Sequence, residues 1–175
     1  MAAFKSFTTS RLILKPTDIN DSSFLLELLN TPKWLAYIGD RHIKTGKDAT
    51  TYIENNILPQ YDKLGYGNYT VILKESKLKI GSCGLYNRQG IDGLDIGFAF
   101  LPQYEKQGYA FESANALKEA AFTVFGIAKL NAITTRQNKS SQQLLERLGL
   151  RFKKMINLPG DDEKLMLYTI EKPVQ

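Results

Sequence analysis

The stretch Leu94–Ala120, LDIGFAFLPQYEKQGYAFESANALKEA, decides the fold. It begins as a strand over Leu94–Phe100, breaks at Leu101-Pro102, and becomes a helix near Gly108. A strand that leads through a turn into a helix directs free backbone N–H groups, and the positive end of the helix dipole, to one point. Because such a point suits a phosphate or diphosphate, the stretch predicts a phosphorylated cofactor.

Working outward, apolar spacing and turn residues predict the other elements. Asn87–Gly93 is rich in turn residues, so the strands Lys79–Tyr86 and Leu94–Phe100 should form a hairpin. The resulting order is a strand, two helices, three strands, then α, β, α, β, β, which predicts one α/β domain with a mixed sheet over residues 1–175. The remaining predicted strands are Arg11–Lys15, Tyr69–Lys74, Lys129–Thr135, Leu150–Asn157 and Lys164–Glu171. The remaining predicted helices are one through Phe24–Leu29 that ends at Thr31-Pro32, one over Lys47–Lys63 capped by Thr45 or Gly46, and one from Asn138 to Gly149 capped by Asn138 or Ser140.

The composition is that of a soluble globular protein, with 43% hydrophobic and 23% charged residues. The formal net charge is +5, but basic residues are spread along the chain, and the longest basic run, Arg151–Lys154, is interrupted by Phe152. We therefore expect a small polyanionic cofactor and no nucleic acid. The single cysteine, Cys83, excludes an internal disulfide and should be buried and inert. With no apolar run typical of a signal peptide or a membrane span, we expect a cytoplasmic protein with no membrane partner.

Two motifs carry a family resemblance. Residues 105–110 read Glu-Lys-Gln-Gly-Tyr-Ala, and residues 138–150 read Asn-Lys-Ser-Ser-Gln-Gln-Leu-Leu-Glu-Arg-Leu-Gly-Leu. Together with the order of elements, they resemble the GNAT superfamily of acyl-CoA-dependent N-acetyltransferases over essentially the whole chain. The family's diphosphate loop is Gln/Arg-x-x-Gly-x-Gly/Ala, which Gly108 and Ala110 fit. Glu105 departs from it, and we predict that its side chain points away from the diphosphate.

The resemblance implies a mixed, mostly antiparallel sheet with a central splay, flanked by about four helices. It also implies acetyl-CoA or CoA as the cofactor. The diphosphate would lie on the loop, and the pantetheine would pair with the strand edge Phe98–Leu101 and contact the start of the Asn138 helix. The implied cofactor-binding residues are Phe98, Ala99, Phe100, Leu101, Glu105, Lys106, Gln107, Gly108, Tyr109, Ala110, Asn138 and Ser141.

With serine at position 141, the Asn138 motif resembles that of the ribosomal-protein N-terminal (Rim-type) branch. In that branch, the serine is proposed to stabilise the leaving thiolate. Many members carry a tyrosine, the presumed general acid, where Leu145 stands here. The implied activity is direct transfer of an acetyl group, in a ternary complex, to a primary amine of a protein, a peptide or a small molecule. One alternative is an acyl-CoA sensor or scaffold with weak catalysis, which Leu145 and Glu105 favour. The other is a nucleotide-binding regulator.

Asp95 is the candidate general base, with an ion-paired strand carboxylate as the alternative interpretation. The segment that covers the acceptor site in this fold contributes the candidate substrate-binding residues Trp34, Tyr37, Asp40, Arg41 and His42. Each also has a structural interpretation: core packing for the two aromatics, an ion pair for Asp40 and Arg41, and a surface position for His42. The acidic turn Asp161–Glu163 is either an exposed hairpin tip or a rim for a cationic amine. We predict no metal site, and either a monomer or a homodimer.

Overall fold

The computed structural model describes residues 3–175, and within them eight strands form one sheet. The strands are β1 (Phe7–Thr8), β2 (Leu12–Pro16), β3 (Asn68–Leu73), β4 (Lys79–Asn87), β5 (Leu94–Phe100), β6 (Lys129–Thr134), β7 (Arg151–Ile156) and β8 (Leu165–Glu171). Their order in the sheet is β1-β2-β3-β4-β5-β6-β8-β7. The helices are α1 (Ser22–Leu28), α2 (Pro32–Tyr37), α3 (Gly46–Tyr52), α4 (Leu58–Leu64), α5 (Tyr109–Thr123) and α6 (Lys139–Arg147).

All neighbouring strands are antiparallel except β5 and β6, which are parallel. The predicted hairpin is confirmed, because β4 pairs with β5 from Gly81 opposite Phe100 to Asn87 opposite Leu94. The mixed, mostly antiparallel sheet of the predicted α/β fold is therefore also confirmed.

The sheet opens in its middle, between β5 and β6. Within the described residues these strands share two register pairs, Leu94 with Leu130 and Asp95 with Asn131, and then separate. Parallel strands end at the same edge of a sheet, so the loops that follow β5 and β6 lie at one edge, on either side of the opening. We call this opening the β5–β6 gap. It confirms the predicted central splay.

Helix α5 follows the turn at the end of β5 and packs on β4 and β5. Its buried face carries small residues, Ser113, Ala114 and Ala121, beside Leu117. Small side chains at helical spacing allow the helix axis to approach the sheet closely. The packing of α5 therefore fixes its first turn beside the β5–β6 gap.

The predicted helix Lys47–Lys63 is not one regular helix. It begins as predicted, since the Thr45 side chain accepts a hydrogen bond from the Asp48 N–H and Asp48 caps the Thr45 backbone in return. After Tyr52, however, a π turn over Ile53–Ile57 separates α3 from α4. Pro59, in the first turn of α4, has no N–H to donate to the preceding turn, which accounts for the interruption.

Thr31-Pro32 follows α1, as predicted, and also starts the short helix α2. The Thr31 side chain accepts from the Trp34 N–H at 3.4 Å, with Pro32 in the first position of α2. The six-residue α2 and the two-residue β1 were not predicted, because neither is long enough to give a periodic pattern. With α3 and α4 taken as one unit, the described part of the chain has five helical units beside the sheet. Within residues 3–175, every helix is too short or too polar to span a bilayer.

Candidate functional site

The turn after β5 presents the open start of a long helix. Gly108 is the N-cap of α5, with φ of 84° and ψ of 1°, a left-handed conformation that glycine adopts without strain. No side chain of residues 3–175 caps this end, and the first intrahelical bond runs from the Glu112 N–H to the Gly108 carbonyl at 3.0 Å. The N–H groups of residues 109–111 are therefore free to bind an anion.

Arg11, a residue that the sequence analysis did not single out, lies against this turn. Its Nη1 donates to the Gln107 carbonyl at 3.0 Å, and its Cζ lies 4.4 Å from the centre of the Tyr109 ring. The Glu112 carboxylate holds it from the other side, with an Nε–Oε2 distance of 2.7 Å. These contacts fix the Arg11 guanidinium beside the start of α5, with its charge offset by Glu112. No local signal predicted this contact, because it joins residues 96 positions apart.

Glu105, the departure from the family motif, is engaged by α2. Its Oε2 lies 2.7 Å from the Lys33 Nζ. This ion pair offsets the negative charge that Glu105 brings to the loop. Lys106 adopts a positive φ of 58° in the same turn, and Lys106 and Gln107 are both exposed.

Strand β5 has an unpaired edge along the β5–β6 gap. The Leu101 N–H donates to the Ile80 carbonyl at 3.0 Å. Hydrogen-bonded pairs alternate along an antiparallel ladder, so Ala99 also bonds to β4, whereas Phe98 and Phe100 direct their N–H and C=O groups into the gap. The Leu101 carbonyl accepts from Tyr104 N–H. Both backbone groups of Leu101 are thus engaged, and the free edge consists of Phe98 and Phe100.

Helix α6 starts on the other side of the gap. Of the two predicted caps, Asn138 is the N-cap, and its Oδ1 accepts from the Ser141 N–H at 3.2 Å and from the Ser140 hydroxyl at 3.1 Å. The Ser141 hydroxyl has no hydrogen-bond partner within residues 3–175. Leu145, at the position of the missing tyrosine, is buried. Thr135, in the turn before Asn138, is also buried, and its hydroxyl is unpaired within the described residues.

Asp95 lies on β5 where that strand leaves β6. Its side chain is 2% exposed, and both of its carboxylate oxygens accept from Arg88, at 3.1 Å from Nε and 3.3 Å from Nη2. Burial raises the pKa of Asp95, and the Arg88 guanidinium offsets part of that effect. This is the geometry of an ion-paired strand carboxylate. The predicted hairpin contained part of the signal, because its turn Asn87–Gly93 includes Arg88 and leads directly into the strand that carries Asp95.

A polar network lies beside this ion pair on the β4–β5 hairpin. Tyr86 is opposite Asp95 in the register. The Tyr86 hydroxyl donates to the Asn68 Oδ1 at 2.5 Å, and the Ser82 hydroxyl donates to the same oxygen at 2.7 Å. Asn68, Ser82 and Tyr86 were not predicted as site residues, because their polarity alone does not distinguish a site from a satisfied core.

The segment predicted to cover the acceptor site has a half-buried and an exposed part. Trp34 and Tyr37 are half-buried on or at the end of α2. The indole N–H of Trp34 is buried and has no hydrogen-bond partner within the described residues. Such an unpaired buried donor is uncommon in folded proteins.

Asp40, Arg41 and His42 are exposed in the loop that follows. The Asp40 carboxylate accepts from the His42 N–H at 2.7 Å and lies 3.7 Å from the Lys44 Nζ. Among the described residues the ion pair is therefore formed with Lys44, and the alternative pair with Arg41 is not formed. His42 has a positive φ of 56°, and its side chain is 85% exposed.

Cys83 is buried, as predicted. Burial raises the pKa of its thiol to about 12, so it is not a ready nucleophile. The acidic turn Asp161–Glu163 is exposed, and the Asp161 Oδ1 accepts from the Glu163 N–H at 2.9 Å. Within residues 3–175, no three His, Cys, Asp or Glu side chains cluster as a metal site.

The chain matches a family model and several curated proteins. The family model "Acetyltransferase (GNAT) domain" matches residues 11–151. The N-acetyltransferase YnaD of Bacillus subtilis (strain 168) is 28% identical over 153 residues, which cover 85% of this chain and 86% of YnaD. YoaA of the same organism is 21% identical over 175 residues, covering 97% of this chain and 98% of YoaA.

Solved structures agree in fold. An acetyltransferase from Agrobacterium tumefaciens str. C58 superposes with a TM-score of 0.82 at 22% identity, covering 98% of this chain and 97% of that one. RimL, described as the ribosomal L7/L12 alpha-N-protein acetyltransferase in complex with coenzyme A, gives 0.81 at 18% identity, covering 95% of this chain and 98% of that one. At these identities the likeness establishes the fold.

Proposed function

The chain belongs to the GNAT family of N-acetyltransferases, and on that premise we propose that it transfers the acetyl group of acetyl-CoA directly to a primary amine in a ternary complex. The observation that carries the proposal is the pairing of a free strand edge with an open helix start. Phe98 and Phe100 line the β5–β6 gap, and Gly108 begins α5 where β5 ends.

The residues at this edge fit an acyl-CoA. The free N–H groups at the start of α5, with Arg11 beside them, suit a diphosphate. The backbone groups of Phe98 and Phe100 suit the amides of a pantetheine arm, in the manner of an added strand. Asn138, whose Oδ1 is used in capping, keeps its Nδ2 as a donor on the far side of the gap.

Acetyl-CoA, when bound, supplies an activated acetyl group and a thiolate leaving group. The Ser141 hydroxyl is free to donate a hydrogen bond to the sulfur as negative charge develops there. The N-cap bond from Asn138 fixes the backbone of Ser141 and so orients its side chain. Holding the donor and the acceptor amine in attack geometry supplies several kcal/mol of the rate enhancement.

Asp95 is the proposed base for the acceptor amine, and the α2 segment is proposed to bind the acceptor. The raised pKa of Asp95 supports a base that accepts the amine proton, whereas its ion pair with Arg88 supports a structural role. Trp34, Tyr37, Asp40, Arg41 and His42 remain the proposed substrate-binding residues. The unpaired indole N–H of Trp34 supports a ligand contact for that side chain.

Ser141 favours an acceptor that is the N-terminal amine of a protein or peptide. The same serine occurs in the Rim-type branch, and RimL, an alpha-N-protein acetyltransferase by its description, shares the fold. Small-molecule amines remain in the proposed acceptor class, because pocket shape rather than these motifs separates them.

A thiol-release assay tests the proposal. Purified protein is incubated with acetyl-CoA and peptides with free N-termini, matched N-acetylated peptides, and a panel of small amines. We expect saturable CoA release that requires the free amine. Replacing Ser141 with Ala should lower kcat by about tenfold to a hundredfold and weaken CoA binding by a smaller factor, because the hydrogen bond to sulfur strengthens as negative charge develops. Lack of release with every amine, despite CoA binding, would contradict catalysis.

The buried Leu145, together with the occupied carboxylate of Asp95, favours a second candidate. We propose as the alternative an acyl-CoA sensor that binds the cofactor without efficient transfer. It predicts saturable CoA binding by calorimetry with no amine-dependent CoA release.

A further inference from the structure

A cleft of about 480 Å³ adjoins the diphosphate-binding turn. It lies between Arg11, the first two turns of α5, and the C-terminal end of α6. We call it the arginine cleft. Its lining includes Arg11, Gly108, Phe111, Glu112, Asn115 and Arg147.

Three charged side chains line the cleft, and their sum is positive. The Glu112 carboxylate accepts from the Thr9 hydroxyl at 2.6 Å, the Arg11 N–H at 2.9 Å and the Arg11 Nε at 2.7 Å. Burial alone would raise the pKa of Glu112, but these hydrogen bonds outweigh it and hold the pKa below its usual value. Glu112 is therefore ionised at neutral pH and occupied with Thr9 and Arg11. Among the described residues, Arg147 has no carboxylate partner.

Arg147 is held in place by stacking. Its Cζ lies 4.5 Å from the centre of the Phe111 ring. Stacking on an aromatic face leaves the N–H edge of a guanidinium free to form paired hydrogen bonds. Across the cleft, the Arg11 Nη2 lies 3.1 Å from the point where a Cβ on Gly108 would stand. Two guanidinium groups thus flank the start of α5.

We propose that the arginine cleft binds the 3′-phosphate of coenzyme A and gives the protein a preference for cofactors that carry it. This inference rests on the proposed function. Coenzyme A has a phosphate monoester on its adenosine in addition to the diphosphate. Gly108 belongs both to the cleft and to the proposed diphosphate-binding turn, so the cleft adjoins the place where the adenosine end of the cofactor would leave that turn. A phosphate monoester carries about −1.5 to −2 charges at neutral pH and matches the paired donors of arginine.

Calorimetric titration with CoA and with 3′-dephospho-CoA tests this inference. Both ligands carry the diphosphate and the pantetheine, and they differ in the 3′-phosphate alone. We expect the unmodified protein to bind CoA about tenfold more tightly than 3′-dephospho-CoA. Arg147→Gln should reduce that ratio to about two by weakening CoA binding, with the affinity for 3′-dephospho-CoA unchanged.

Lys154→Gln is the matched control, because it removes one positive charge from an exposed position on β7 and should keep the tenfold ratio. Unchanged binding of 3′-dephospho-CoA also reports that Arg147→Gln is folded. Equal affinity of the unmodified protein for both ligands would overturn the inference and leave the proposed function intact. So would an equal loss for both ligands in Arg147→Gln. Failure of both ligands to bind would overturn the proposed function itself.

Discussion

Among single residues, Arg88 decides how the buried carboxylate of Asp95 behaves. Removing one partner of a buried ion pair leaves the other charge without compensation, which costs about 3 kcal/mol or more. Burial raises the pKa of Asp95, and Arg88 offsets part of that effect, so the pKa of Asp95 rises further when Arg88 is removed. The cost of the uncompensated charge is therefore fully present above that raised pKa and decreases as pH falls through it.

Arg88→Met should therefore destabilise the protein by about 3 kcal/mol near neutral pH, and by less near pH 5. Chemical denaturation at several pH values measures this. The double variant Arg88→Met/Asp95→Asn should recover much of the loss, whereas Arg136→Met, an exposed arginine, should change stability little. A loss in Arg88→Met that does not depend on pH would be inconsistent with a charge left buried on Asp95.

The proposed base role of Asp95 gives a separate kinetic prediction. A general base accepts a proton only when it is ionised. Asp95→Asn should therefore lower kcat/KM by about a hundredfold above the pKa of Asp95, and by less below it, where the carboxyl is protonated and cannot act as a base. A pH–rate profile of unchanged shape would instead assign Asp95 to the structural pair with Arg88.

At the scale of elements, the β4–β5 hairpin depends on two glycines beneath one ring. A Cβ on Gly84 would lie 2.6 Å from the Tyr86 ring, and one on Gly97 would lie 3.0 Å from it. Gly84→Ala should displace Tyr86 from Asn68 and cost about 1–3 kcal/mol of unfolding free energy. Gly46→Ala, at the first position of α3 with no atom near the added methyl, should leave stability equal or slightly higher. Equal stability of both variants would contradict this packing.

The start of α5 gives a paired test of the diphosphate-binding turn. Gly108 and Gly126 both have a positive φ, of 84° and 68°, and they lie at opposite ends of α5. Alanine at either position should cost about 1–2 kcal/mol through backbone strain. Gly108→Ala should also weaken CoA binding by about tenfold, because its methyl displaces Arg11, whereas Gly126→Ala should not. Similar CoA affinity in both variants would argue against this turn as the binding site.

Over the whole molecule, the sequence predicted what depends on neighbours along the chain. The β4–β5 hairpin followed from the turn residues of Asn87–Gly93, and the start of α6 followed from the capping side chain of Asn138. The contacts between Lys33 and Glu105, 72 residues apart, and between Arg11 and Gln107 depend on how the elements pack. Local periodicity also did not predict the π turn before Pro59, because a proline within a helical pattern is compatible with a kink, a break or a bulge.

The central claim concerns the whole molecule: the gap between parallel β5 and β6 receives the pantetheine of CoA as an added strand. Residue-resolved hydrogen exchange with and without CoA tests it most directly. The account predicts slower exchange of the Phe98 and Phe100 amides and of the amides at the start of α5, with little change at Gly97 and Ala99, which already bond to β4. Equal protection of all four strand amides, or protection elsewhere alone, would contradict it.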